Sequence, residues 1–158
     1  MLIREVPPDE GILQTLIRLS GDWEAENSCH GYRKNTEDDI RGNRIWTAEE
    51  KGSVIGYLFG HAETAKTSSS VIREDTPYFE IEEIYVLPAF RSRGAGKMLF
   101  QAAEESLEKE GQAQMILLST ASKNWKAILH FYLDELDMEF WNARLFKPLN
   151  GTRNRENL

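Results

Sequence analysis

Hydrophobic and polar positions change period several times along the chain, and each change marks an element. Leu2 to Val6 reads as a first strand stopped by Pro7-Pro8. Asp9 then caps a predicted helix with Ile12, Leu13, Leu16, Ile17 and Ser20 on one face and Gly21 as its stop. Residues 22–43 are polar, anchored by Trp23, Tyr32 and Ile40, with a helix start at Thr36-Glu37-Asp38-Asp39. Residues 45–49 and 54–62 form a hairpin about Glu50-Lys51-Gly52-Ser53. Residues 63–76, rich in Ser and Thr, read as a long loop of the kind that often serves as a lid. Tyr78 to Leu87 is a strand ended by Pro88. From Gly94 the period becomes helical, with Ala95, Met98, Leu99, Ala102, Ala103 and Leu107 on one face and Gly111 as the stop. Residues 114–120 predict a buried strand, parallel to the one before the helix. Asn124 to Glu135 is a helix with Trp125, Ile128, Leu129 and Tyr132 on one stripe. Phe140 to Phe146 is a last strand, and 150–158 is a polar tail expected to be disordered.

Length and composition narrow the class. The 158 residues suit one domain, taken as 1–149 plus the tail, with no internal repeat. The 41% hydrophobic and 28% charged content is that of a soluble globular chain. No apolar run approaches the ~20 residues of a membrane span, and the first residues lack the apolar core of a signal peptide. A single cysteine, Cys29, excludes an internal disulfide framework and fits a reducing compartment, so the cytoplasm is the expected location. A net charge of −7 argues against general nucleic-acid binding and favours neutral or cationic partners. No Cys and His set suggests a metal, and Asn150-Gly151-Thr152 matches a glycosylation pattern with no secretory signal to make it relevant.

Against this acidic background, Arg91-Ser92-Arg93-Gly94-Ala95-Gly96-Lys97 stands out. A helix opening on Gly-Ala-Gly presents bare N–H groups and the positive end of its dipole, with side chains small enough to admit a phosphate. Arg91 and Arg93 would add charge-assisted hydrogen bonds. A Walker loop fails here, because Arg91 stands where its first glycine belongs and Met98 where its hydroxyl belongs. The dinucleotide fingerprint fails because its third glycine is Leu99. What remains is a diphosphate cradle at a strand-turn-helix junction.

These residues resemble the acetyl-CoA motif of the GNAT family of N-acetyltransferases, Arg/Gln-x-x-Gly-x-Gly/Ala. The strand before them is similar to that family's fourth strand, and Asn124-x-x-Ala127-x-x-x-Phe131-Tyr132 resembles its Asn…Ala…Phe-Tyr helix. The resemblance implies an α/β (α+β) GNAT fold, a mixed sheet of about six to seven strands with about four helices. The chain departs from the pattern after Tyr132, where Leu136-Asp137-Met138 replaces Leu-Gly-Phe and one run replaces two short strands.

The resemblance also implies a function: acetyl transfer from acetyl-CoA, as cosubstrate and without a metal, to a small cationic amine or protein amino group by direct attack. A non-catalytic acyl-CoA-binding module is the alternative, and a homodimer is admitted by analogy. Arg91, Ser92, Arg93, Gly94, Ala95, Gly96 and Lys97 would hold the diphosphate, and backbone N–H groups of Ile84, Tyr85 and Val86 the thioester and pantetheine, through a bulge in the strand. Asn124 would reach the pantetheine or cap its helix. The amine must lose a proton and the leaving thiolate gains from one. Strict alternation puts Glu80, Glu82 and Ile84 on one face of the strand and Ile81, Glu83 and Tyr85 on the other. The resemblance points to Glu82 as base, directly or through a water, with Glu83 the second choice. Tyr132 matches the family tyrosine near the CoA sulfur, with core packing an equal reading. His61 is a weaker acceptor-site candidate, His130 reads as a solvated stripe, and the acids Asp22, Glu24, Glu26, Glu37, Asp38 and Asp39 favour a cationic acceptor.

Overall fold

In the computed structural model, residues 1–149 are described, and the polar tail with its Asn150 pattern lies outside them. Strand β1 (Leu2–Val6) leads to helix α1 (Glu10–Glu26) and short helix α2 (Glu37–Arg41). The long strands β2 (Arg44–Glu50), β3 (Ser53–Thr64) and β4 (Pro77–Val86) follow. A 3-10 turn (Pro88–Phe90), helix α3 (Ala95–Glu110), strand β5 (Ile116–Leu118), helix α4 (Trp125–Leu129) and a π-helical turn (His130–Glu135) complete the order. No helix among the described residues is long and apolar enough to cross a membrane.

The strands form one sheet in the order β1-β2-β3-β4-β5, antiparallel except for the parallel β4–β5 pair. One face packs Trp46, Leu58, Phe79 and Ile81 against Leu99, Phe100 and Ala103 of α3 and against Tyr132 and Leu136. The other packs Ile45, Tyr57, Phe59 and Tyr85 against Leu13, Leu16 and Leu19 of α1 and Ile40 of α2. The sheet is thus a divider with an apolar layer on each side.

Several elements depart from the sequence pattern. Gly21 does not end α1, which continues to Glu26 and stops at Asn27 in the left-handed conformation. A mid-helix glycine costs about 1 kcal/mol; the extra turn carries Trp23, stacked on Tyr32 at 4.2 Å and on Tyr85 at 5.0 Å. The sheet has five strands rather than six to seven, because Phe140 to Phe146 forms no ladder. A strand persists only beside a partner. The segment instead contacts the 65–76 loop, where Trp141 donates to Ser70, and Phe146 meets the His30 ring edge-on. Trp125, expected on a buried stripe, is exposed. After it the π-helical turn adds a residue per turn, so adjacent Phe131 and Tyr132 both join the α3 side.

The 65–76 loop is ordered by its own hydrogen bonds, including Ala65 N–H to the Thr76 carbonyl, with Ala65 and Ile72 buried. It borders a cavity of about 550 Å³ shared with Leu107, Glu110 and Gln112, at the C-terminal end of α3. That is the end of α3 away from the glycine-rich turn.

Candidate functional site

The site begins with a misalignment. Glu83 of β4 pairs with Phe59 of β3, but Ile81 pairs with Gly60, which leaves Glu82 with no counterpart. This β-bulge overturns strict alternation along β4. Ile81 and Ile84 both lie on the α3 face, whereas Glu83 and Tyr85 lie on the α1 face with Tyr57. Gly60 makes the bulge possible, because a Cβ there would sit 2.2 Å from the Glu80 carbonyl oxygen.

The bulge coincides with a split in the sheet. Strand β5 pairs only with Phe79, Glu80 and Ile81. Leu87 N–H donates to Ile55 of β3, so alternation turns the Tyr85 N–H toward β3 as well. The N–H groups of Ile84 and Val86 then face the other edge, where β5 has ended. Of the three amides expected to meet the cofactor, two face the split.

Helix α3 opens at the head of this split. Its N-cap, Gly94, lies at φ +85° and provides no side-chain cap. A Cβ at Gly94 would meet nothing within 4 Å, so the approach is clear. Met98 N–H is the first to reach a helical carbonyl, that of Gly94 at 2.9 Å. The N–H groups of Ala95, Gly96 and Lys97 therefore lack a helical acceptor. Gly96 is tight for another reason: a Cβ there would meet Phe131 Cζ at 3.2 Å. Ser92, at φ +62°, forms the exposed outer turn. An open, uncapped run of amides under a left-handed glycine fits a diphosphate.

The two arginines already have partners. Arg91 Nη2 reaches both Glu26 oxygens at 2.8 and 2.9 Å, and its Nε donates to the Val86 carbonyl at 2.8 Å. The Tyr85 hydroxyl donates to the same Glu26 carboxylate at 2.5 Å. Arg93 pairs with Glu50 at 3.2 Å and lies over the Phe90 ring.

On the α1 face Glu83 accepts from three side chains. Tyr32 donates at 2.7 Å, Asn35 at 2.7 Å and Tyr57 at 3.0 Å, all to Oε1. Burial raises the Glu83 pKa above the usual carboxylate value, and the three donors only partly offset it. Burial beside Glu83 also pushes the Tyr32 and Tyr57 phenols up. Glu82, by contrast, is exposed at the bulge, 3.6 Å from His61 Nδ1. His61 also meets Asn43 at 3.0 Å and Glu63 at 3.1 Å. Neighbouring Glu80 is raised by burial and by the Glu82 charge. Among the described residues, Glu63, Glu80, Glu82 and Glu83 form no ion pair with a Lys or Arg. Of the acids expected to favour a cation, Glu24, Glu26, Glu37 and Asp39 are instead engaged by groups of the protein itself, Glu26 by the distant Arg91.

Tyr132 is 8% exposed and burial raises its pKa, with Cys29 close enough to add to the effect. Its hydroxyl has no hydrogen-bond partner among the described residues, yet no buried side-chain polar atom there is unpartnered. The small exposed part of the residue therefore includes the hydroxyl. The 28–30 segment is tied across to the loop after β5, through a Cys29–Ser122 bridge and His30 N–H to the Ala121 carbonyl. Asn124, exposed at the start of α4, makes no side-chain cap bond. His130 pairs with Asp134 in solvent, as its stripe suggested.

Residues 13–136 match the sequence profile described as the Acetyltransferase (GNAT) family. The chain belongs to the GNAT acetyltransferase family. Among solved structures it is similar to the aminoglycoside N-acetyltransferase AAC(6')-Iy in complex with CoA, at 19% identity and TM-score 0.65, over 94% of this chain and 99% of that one. An aminoglycoside acetyltransferase from an uncultured soil metagenomic sample, in complex with sisomicin, matches at 16% identity and TM-score 0.65, over 94% and 96%. A ribosomal-protein-alanine N-acetyltransferase from Brucella melitensis biovar Abortus 2308 matches at 12% identity and TM-score 0.65, over 93% and 99%. No curated protein sequence matches the chain. At these identities the structures establish the fold. GNAT membership implies acyl transfer from an acyl-CoA.

Sequence reasoning did not find Asn35 and Tyr57 as partners of Glu83, or Glu26 as the partner of Arg91 and Tyr85. Period-two alternation along β3 does put Tyr57 with Phe59 on one face, but nothing local in the sequence aligns them with Glu83.

Proposed function

We propose that this GNAT protein transfers an acetyl group from acetyl-CoA to a cationic amine by direct attack. The observation that carries the reading is the split between β4 and β5, with the Ile84 and Val86 amides facing it and the uncapped start of α3 at its head. Acetyl-CoA supplies an activated acetyl thioester. The amides of Ala95, Gly96 and Lys97 hold its diphosphate, and those of Ile84 and Val86 line the path of the pantetheine and donate to the negative charge that develops on the carbonyl oxygen. One such donor is worth ~3 kcal/mol.

Glu82 takes the ammonium proton, directly or through a water, because it is exposed at the bulge. Glu83 is held by three donors and instead fixes the wall formed by Tyr32 and Asn35. The Tyr132 hydroxyl, kept neutral by burial, supplies the proton to the leaving thiolate and is restored by the second proton that the attacking nitrogen sheds as the amide forms. Acids at Glu63, Glu80 and Glu82, unmatched by Lys or Arg, suit a cationic acceptor. The similarity to aminoglycoside acetyltransferases makes polyamine-like and aminoglycoside-like amines the first to try.

Thermal shift with CoA, followed by thiol release from acetyl-CoA with spermidine, an aminoglycoside, an amino acid and a peptide, tests this. Stabilisation by CoA and thiol release with at least one polycation are expected. Stabilisation with no release for any amine would favour the non-catalytic binding module, and no stabilisation would remove the cradle itself.

A further inference from the structure

The segment after α1 crosses from one side of the split to the other. At one end Tyr32 and Asn35 donate to Glu83 of β4. At the other it is tied to the loop that follows β5. Lys123 N–H donates to the Ser28 carbonyl at 2.9 Å and His30 N–H to the Ala121 carbonyl at 2.9 Å, while Lys123 Nζ reaches Asn27 Oδ1 at 3.0 Å. Residues 27–35 thus join β4 to the continuation of β5 on the α1 side, where the two strands have parted. Cys29 stands in this span with a backbone hydrogen bond on either side of it. It is a free, half-buried thiol and the only cysteine of the chain.

Tyr132 faces the same space from the opposite side. It packs in the α3-side layer, is 8% exposed, and its hydroxyl has no hydrogen-bond partner among the described residues. A phenol so deeply enclosed ordinarily finds a partner. One that lacks it, yet keeps its hydroxyl open, points to a ligand group from outside the protein. Burial raises this phenol's pKa, and Cys29 is near enough to add to the effect although the two residues come from opposite layers of the fold. A thiol on one side of the split and an unpartnered hydroxyl on the other thus enclose the position proposed for the coenzyme sulfur, beside the Ile84 and Val86 amides.

We propose that Cys29 is a modification site for the coenzyme itself, where it exchanges with the disulfide of oxidised CoA and keeps one coenzyme half in the cleft as a mixed disulfide. The inference rests on the CoA-binding reading of the cradle and adds to it. The Cys29 sulfur attacks, as the thiolate, one sulfur of the CoA disulfide. The bond between the two coenzyme sulfurs breaks, and its electron pair leaves on the other sulfur, which takes up the proton that Cys29 gave up. Cys29 is oxidised and one coenzyme half is reduced to free CoA, so no further oxidant enters. The adduct fills the cleft that acetyl-CoA needs, and a small thiol reverses it.

Intact-mass spectrometry on the full chain reads the outcome. Thermal shift with reduced CoA comes first, because no stabilisation would remove the cradle and this inference with it. The reduced protein is then exposed to CoA disulfide or, at equal concentration, to glutathione disulfide. The expected product is an adduct of one coenzyme less two hydrogens. It should form roughly tenfold or more faster than the glutathione adduct, because the cradle holds the reacting sulfur beside the thiol. Excess acetyl-CoA should suppress it, dithiothreitol should remove it, and Cys29→Ser should form none. Stabilisation by CoA with no adduct would overturn the inference and leave the cradle standing. Equal rates for the two disulfides would do the same, making Cys29 an ordinary exposed thiol. An adduct that acetyl-CoA does not suppress would place the coenzyme outside the cleft and overturn it equally.

Discussion

Replacing Gly60 by alanine should damage this protein out of proportion to one methyl group. The added Cβ would lie 2.2 Å from the Glu80 carbonyl oxygen, 2.7 Å from Phe79 Cε1 and 3.0 Å from Ile81 Cα. The ring can rotate away, but the other two atoms are β4 backbone, fixed in a ladder on both sides. The strands must either separate or slip by one residue. A slip would send Glu83 and Tyr85 to the opposite face from their partners. Overpacking in a well-packed core costs about 1–3 kcal/mol, and obstruction by backbone on two sides puts this case near 3 kcal/mol. That is a large share of the ~5–15 kcal/mol a domain has. For a chain of this size, 1 kcal/mol moves the melting midpoint by ~2–4 °C, so a fall of roughly 6–12 °C is expected.

Thermal and urea unfolding measure the stability, and thiol release per folded molecule measures the function. Because the bulge sets which face Glu83 takes and which edge the Ile84 and Val86 amides meet, the folded fraction of Gly60→Ala should also turn over more slowly. Gly42→Ala is the control. Its φ is −84° and a Cβ there meets nothing within 4 Å, so it should stay within about 0.5 kcal/mol of wild type. A Gly60→Ala protein that melts within 2 °C of wild type, roughly the shift of 1 kcal/mol, and releases thiol at the full rate would refute the reasoning.

The other predictions concern single groups. Glu83 has a raised pKa in the folded state because it is buried, so its contribution to stability is fully present below the ordinary value of 4.5 and is lost as pH rises through the raised value. Urea unfolding should therefore show wild type gaining on Glu83→Gln as pH falls from 7 toward about 4.5; a loss instead would mean the three donors outweigh burial. Arg91→Ala with Arg93→Ala should weaken CoA binding about five- to tenfold and flatten its salt dependence, a modest effect because both side chains are largely exposed; calorimetry showing unchanged affinity would count against the cradle. Tyr132→Phe should lower turnover roughly 100-fold with little change in acetyl-CoA affinity, and equal activity would reduce Tyr132 to packing. Glu82→Gln should lower turnover roughly 100-fold with little change in acetyl-CoA affinity, while full activity would move the base elsewhere.

Much of the architecture follows from periodicity that any window of the sequence contains. The change from period two to period three or four at Gly94, the apolar run before Ser119 and the turn at Lys51-Gly52 each depend on neighbours in the chain. So does the uncapped, glycine-rich opening of α3, because a helix start needs only its own first residues to expose its amides. What tertiary structure decided is everything that depends on register between distant strands. A single extra residue at Glu82 reverses the faces of all that follows in β4, and its cause, Gly60, lies more than twenty residues earlier. The Glu26–Arg91 pair and the three donors on Glu83 come from segments brought together only by packing. The fate of Phe140 to Phe146 shows the same limit from the other side, since whether such a segment joins a ladder or docks on a loop and a ring, as here on Ser70 and His30, is decided by packing.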